Sequence, residues 1–190
     1  MEKTDLIIQV TIALLGEEGA DNLSMRKVAK SAGISLSNLQ YYFSSKEALL
    51  IATAERYFRG CQEEVFERLP LQTTENETSS AQFFEQLLGI LLFNGKENRQ
   101  TIMFREIAAL SSRNKELDIA VDKYYREYCI WLRTLISKHT LYPEKVVSLI
   151  VPYLEGFANM GTALPLKKND CIIILLKCIL EVEKLDDTMT

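Results

Sequence analysis

Between Ser24 and Lys46 the chain carries Arg26, Lys27, Lys30 and Lys46 and no acidic residue, although the net charge of all 190 residues is −4. A basic segment inside an acidic chain is the electrostatic footprint of a polyanion met at one place only. The same segment holds side chains suited to base edges. Asn38 and Gln40 can pair bidentately with adenine, and Leu36 can touch a thymine methyl. The hydroxyls of Tyr41 and Tyr42 and the Lys46 ammonium suit phosphate oxygens, which fix register rather than sequence. Taken singly, Asn38 and Gln40 are ordinary solvated residues and the tyrosine pair is core filler. Their density in an acid-free stretch points to DNA.

Such groups work only if short helices present them. Ser24 is placed to cap a helix carrying Val28 and Ala29, and Gly33 breaks it where a left-handed backbone is easily adopted. Ser35 caps a second helix from Leu36 to about Phe43, and Ser45 caps a third from Lys46 to about Leu69. Two short helices joined by a glycine-containing turn form a helix-turn-helix. Val28, Ala29, Ile34, Leu39 and Phe43 supply its small core, and Ser37, Asn38, Gln40, Tyr41 and Tyr42 its exposed face. The second helix is the one expected in the major groove.

The rest of the chain reads as helix too. Apolar residues recur at three and four spacing, and no run alternates as a strand would. A first helix bears Leu6, Ile7, Val10, Ala13 and Leu14 and ends at Gly16–Gly19. Later helices are expected over 81–94, 99–112, 114–139, 143–164 and 169–185, with loops at 71–80 and 95–98. Ser79 with Gln82 has capping-box spacing, Asn114 and Asn169 are placed as caps, and Pro143 suits a first turn. The expected fold is all-α with about nine helices: a DNA-binding head over 1–50 and a ligand-binding and dimerisation body over 51–190.

Other chemistry is poorly supplied. His139 is the one histidine, beside Lys138 and Thr140, which suggests a helix end rather than a catalytic base. Cys61, Cys129, Cys171 and Cys178 form no CxxC pair and are expected as buried thiols; no metal site and no cofactor are expected. There is no phosphate-cradling glycine loop and no HExxH. Glu63–Glu64 and Asp186–Asp187 read as solvated charge. An enzyme is not expected. The longest strictly apolar run, Cys171–Leu176, is six residues, far short of the roughly 20 that span a bilayer, and the N-terminus lacks a leader pattern. A cytoplasmic protein without membrane contact is expected.

The blocks Leu23-Ser-Met-Arg-Lys-Val-Ala29, Ala32-Gly-Ile-Ser35 and above all Leu39-Gln-Tyr-Tyr-Phe-Ser-Ser-Lys-Glu-Ala-Leu-Leu50 resemble the DNA-binding domain of the TetR family of transcriptional regulators. The resemblance covers residues 4–58. It implies a three-helix DNA head, a helical body that dimerises and binds a small molecule, and repression relieved by that ligand. It also implies phosphate contacts for Ser24, Ser35, Tyr41, Tyr42 and Lys46, with Arg26 nearby, and base reading by Ser37, Asn38 and Gln40 beside Leu36. The chain departs from the family where Lys27 stands in place of a common acid, and at Leu36–Ser37 and Gln40. Its operator is therefore its own.

In the body, Met103, Phe104, Tyr124, Tyr128, Trp131, Phe157 and Met160, with Glu106 and Glu155, are the candidate lining of a ligand pocket, against the plainer reading of a packed core. Aromatic rings with a carboxylate suit a cation, and segment 104–136 is similar to the choline-responsive branch of the family. Cys171–Leu180 is apolar nearly all round. Ile172, Leu175, Leu176 and Ile179 are the candidate dimer contacts, with Ile150 and Leu154 of the preceding helix, in a C2 four-helix bundle. The expected partners are a palindromic double-stranded operator, a second copy of the chain and a small-molecule effector. An activator, a regulator without ligand, and an all-α carrier or enzyme are the alternatives.

Overall fold

The computed structural model describes residues 2–69, 79–92, 99–160 and 163–182. Most of the loop expected at 71–80, the turn at 95–98 and Asp186–Asp187 lie outside these. Among the described residues there are nine α-helices and no strand: α1 Lys3–Glu18, α2 Met25–Ser31, α3 Leu36–Tyr42, α4 Lys46–Arg68, α5 Ser80–Leu91, α6 Arg99–Ser111, α7 Lys115–Ile136, α8 Pro143–Met160 and α9 Lys168–Val182. The chain forms two compact units, residues 1–61 with 95–126, and 62–94 with 127–190. The first unit thus takes in α6, and the expected limit at residue 50 falls inside α4.

In the first unit α1 packs on α2 and α6, and α2 on α3. Ile7, Leu15, Val28, Leu39, Leu49 and Ile107 are each almost without exposure and form its core. The junction of α2 and α3 follows from local chemistry. Gly33 has φ +67°, its N–H donates to the Lys30 carbonyl (3.2 Å), and the Ile34 N–H donates back to Ala29 (3.0 Å). This left-handed termination satisfies carbonyls that the end of α2 would leave orphaned. A Cβ at Gly33 would touch nothing within 4 Å, so Gly33→Ala meets only backbone strain. It is expected to lower stability by about 1 kcal/mol, read from the urea midpoint.

In the second unit α9 packs on α5 and α8. The capping box of α5 is present in both directions: the Gln82 N–H donates to Ser79 Oγ (3.3 Å) and the Ser79 N–H to Gln82 Oε1 (3.2 Å). Asn114 caps α7 through the Leu117 amide (3.1 Å), and Pro143 opens α8. Three local expectations fail. Helix α9 begins one residue before Asn169, with the Cys171 N–H already bonded to the Lys167 carbonyl (3.1 Å), so Asn169 is no cap. Helix α8 is described over Pro143–Met160, and Leu164, the expected end, is not helical. Of the four cysteines only Cys171 is buried: Cys61 and Cys129 are half-buried, and Cys178 is exposed because the buried stripe of α9 centres on Leu175 and Ile179.

His139 lies three residues beyond α7, its ring stacked on Phe83 at 3.6 Å. Burial, with the Lys138 charge beside it, lowers its pKa from the ordinary 6.5. The unfolded chain then takes up the proton more readily than the folded one. Stability is full above the ordinary imidazole range and declines as pH falls through it. His139→Phe is expected to flatten that part of the curve of urea midpoint against pH, while keeping the stack.

Candidate DNA interface

Helices α2, α3 and α4 are each started by a serine. The Lys27 N–H donates to Ser24 Oγ (3.3 Å), the Asn38 N–H to Ser35 Oγ (3.1 Å), and the Ala48 N–H to Ser45 Oγ (3.1 Å). These caps fix where α2, α3 and α4 begin, and therefore which way their side chains turn. Leu39 is the only fully buried residue of α3 and has 0% exposure. Ser37, Gln40 and Tyr41 consequently face water, Tyr41 with 83% of its surface exposed. Tyr42 is half-buried and meets Tyr41 edge to face, with ring centroids 5.2 Å apart. Ser35 and Ser37 share a hydrogen bond of 3.0 Å between their hydroxyls. Leu36 and Asn38 are half-buried, and Asn38 Oδ1 is buried without a hydrogen-bond partner.

The cations fall into two kinds. Arg26 and Lys30 stand exposed on α2 beside the exposed Ser24. Lys27, counted in the sequence as a charge for DNA, is ion-paired with Glu18 at the end of α1. Lys46 at the start of α4 donates from Nζ to the Ala20 carbonyl (2.9 Å). An ammonium has three N–H donors, so this bond leaves two for other acceptors. The first unit thus offers one exposed helix with hydroxyls and an amide, flanked by Arg26 and Lys30, which is the arrangement of a DNA-reading head.

Residues 7–53 match the family profile described as bacterial regulatory proteins, tetR family. The chain is 35% identical over 167 residues to an uncharacterized HTH-type transcriptional regulator in the dhlA 5' region of Xanthobacter autotrophicus, covering 86% of this chain and 81% of that one. This chain belongs to the TetR family. It is a DNA-binding transcriptional regulator. Solved structures agree in fold. A transcriptional regulator from Rhodococcus sp. Rha1 superposes with a TM-score of 0.74 at 18% identity, covering 96% of this chain and 98% of that one. The multidrug binding protein EbrR, complexed with ethidium, does so at 0.70 and 20% identity, covering 94% and 99%. As a TetR-family member the chain has its helix-turn-helix in α2 and α3, the two helices with the capped starts and the left-handed junction.

The body residues named from sequence are distributed over both units. Met103, Phe104 and Tyr124 are buried in the first. Phe104 stacks on Tyr57 (4.7 Å) and meets Phe58 edge to face (5.0 Å), and Phe58 in turn lies 5.7 Å from Tyr124. Tyr57 and Phe58 of α4 and Tyr125 of α7 complete this aromatic cluster, and the sequence alone does not single them out. Glu106 has a different partner from the one expected: its Oε2 accepts the Ala20 N–H at 2.8 Å. In the second unit Tyr128 and Phe157 are buried, Trp131 and Glu155 half-buried, and Met160 is 53% exposed. Trp131 sits against Tyr128 (5.5 Å) and the exposed Phe66 (6.0 Å).

A groove of about 460 Å³ opens between α7 and α8, with Val147, Val151 and Pro152 on its wall and the Arg133–Glu144 ion pair (3.3 Å) at its rim. None of the nine sequence-named ligand residues lines it. The expected dimer contacts differ in exposure. Ile150, Leu154, Ile172, Leu175 and Ile179 are buried inside their own unit, where α8, α9 and α5 pack. The apolar surface that α9 leaves in water is Ile173 and Ile174, each about half exposed, beside the half-buried Leu176. No described helix is long and apolar enough to cross a membrane.

Proposed function

We propose that this chain is a cytoplasmic homodimeric repressor that leaves a palindromic operator when a small-molecule effector binds its body. Residues 1–50 form the DNA-binding part in this reading and 51–190 the effector and dimerisation part. The observation that carries it is α3, with Leu39 as its one fully buried residue and Ser37, Gln40 and Tyr41 presented to solvent. Ser37, Asn38 and Gln40, with Leu36, read bases; Ser24, Arg26, Ser35, Tyr41, Tyr42 and Lys46 bind phosphates. A symmetric dimer presents two such helices to two half-sites. Ile173, Ile174 and Leu176 of α9 are its contacts. The aromatic residues Tyr128, Trp131 and Phe157 with Glu155 favour an effector that is an organic cation. EbrR, similar in fold and holding ethidium, supports that choice.

The test is a fluorescence-anisotropy titration of the full chain against duplexes it selects from a random-sequence pool, at two salt concentrations. A palindrome bound by two chains, tightly at the higher salt, is the expected result. Organic cations such as ethidium and choline are then titrated, with Trp131, the only tryptophan, as reporter. Release of DNA alongside a change in its emission supports the repressor. DNA binding that no such compound alters points to a ligand-independent regulator, and failure to select any duplex would falsify the DNA reading.

A further inference from the structure

The corner between α1 and α2 is buried at Ala20, which is only 3% exposed. Helix α1 has ended there: the Gly19 N–H makes the last helical bond, to Leu15 (3.1 Å), and Gly19 turns to φ +77°. The Ala20 N–H therefore has no helical carbonyl to meet. It donates instead to Glu106 Oε2 at 2.8 Å, a side chain of α6 that is 86 residues away. The carboxylate lies so close over the corner that a Cβ at Gly19 would be 3.4 Å from the same oxygen. The Ala20 carbonyl is taken up as well, by Lys46 Nζ (2.9 Å) and the Leu23 N–H (3.3 Å). Both backbone groups of this residue thus depend on neighbours, and one of those is Lys46 at the start of α4, next to α3.

We propose that Glu106 is a positioning residue for DNA binding: through the Ala20 amide it fixes the corner from which α2 and α3 are presented. Glu106 touches no DNA in this role. It holds the Ala20 carbonyl in place, and that carbonyl aims the Lys46 ammonium. Without it a buried N–H is orphaned, which the corner relieves by shifting or by admitting water. A shifted corner turns α3 away from base edges while leaving the charges of the head in place. The role rests on the DNA-binding assignment and is independent of the dimer and effector proposals.

The experiment compares Glu106→Ala, Glu106→Gln and the wild type on two duplexes: one selected by the wild type from a random pool, and one scrambled. Glu106→Ala is expected to bind the selected duplex about tenfold more weakly, the factor that corresponds to one unmade hydrogen bond. Its affinity for the scrambled duplex stays within about twofold, because non-specific binding depends on charge. Glu106→Gln keeps a carbonyl oxygen for the Ala20 N–H and is expected to restore the selectivity. Should Glu106→Ala not fold, Glu106→Asp withdraws the oxygen by one methylene, keeps the charge, and reads the same loss. Amide exchange at Ala20 supplies the direct readout, slow in the wild type and Glu106→Gln and faster in the shortened variants. Undiminished selectivity in the shortened variants, an equal loss on both duplexes, or a Glu106→Gln protein as unselective as Glu106→Ala would each overturn the proposal. A wild type that selects no duplex overturns the DNA-binding assignment itself, while the exchange rates still report on the bond.

Discussion

Leu39→Ala is expected to cost about 3 kcal/mol of stability and to remove sequence-specific DNA binding. Helix α3 has seven residues, too few to persist alone in water. Its only fully buried side chain is Leu39, at 0% exposure, set against a core that includes Val28. Truncation leaves a cavity under the recognition helix and takes away what orients it. Gln40→Ala, on the exposed face of the same helix, is the contrast: stability stays within about 0.5 kcal/mol, while discrimination at one base pair is lost. Urea unfolding and anisotropy on the selected duplex and its single-base variants separate the two. A Leu39→Ala protein that still reads the duplex would mean that α3 is not the reading element.

The parts of the head that sequence makes legible are those decided within a few residues. Ser24, Ser35 and Ser45 cap because a hydroxyl one residue before a helix can hardly avoid its third amide, and each bond is found. Gly33 terminates α2 because a left-handed position excludes most other residues. The family motif across 39–50 adds the rest. What escapes is decided between elements. Nothing in the sequence joins Glu106 to Ala20 across 86 residues, so an acid amid aromatics reads as a ligand group when its partner is a backbone amide. Lys27 likewise counts toward DNA until Glu18, nine residues earlier, is seen to hold it. Helix α9 shows the same limit in another form. A helix apolar nearly all round has no visible inner face, so the sequence alone does not separate Ile172, Leu175 and Ile179, which pack within the unit, from Ile173 and Ile174, which stay half exposed.

That reassignment makes a second large effect testable. Ile173→Lys with Ile174→Lys is expected to convert the proposed dimer to a monomer in sedimentation velocity, and to weaken operator binding by about a hundredfold or more, since two linked heads gain at least that much over one. Both side chains are already about half exposed, so the monomer should unfold within about 0.5 kcal/mol of the wild-type subunit once association is accounted for. Leu175→Ala is the opposite case. At 3% exposure it belongs to the interior, and its truncation should lower stability by about 2 kcal/mol or more at any protein concentration. The concentration dependence of unfolding distinguishes the two, because only a side chain between chains changes the mass-action part of stability. If the lysine pair leaves the protein dimeric, the two-fold contact lies off α9, and the apolar pair Ile173–Ile174 has another occupant.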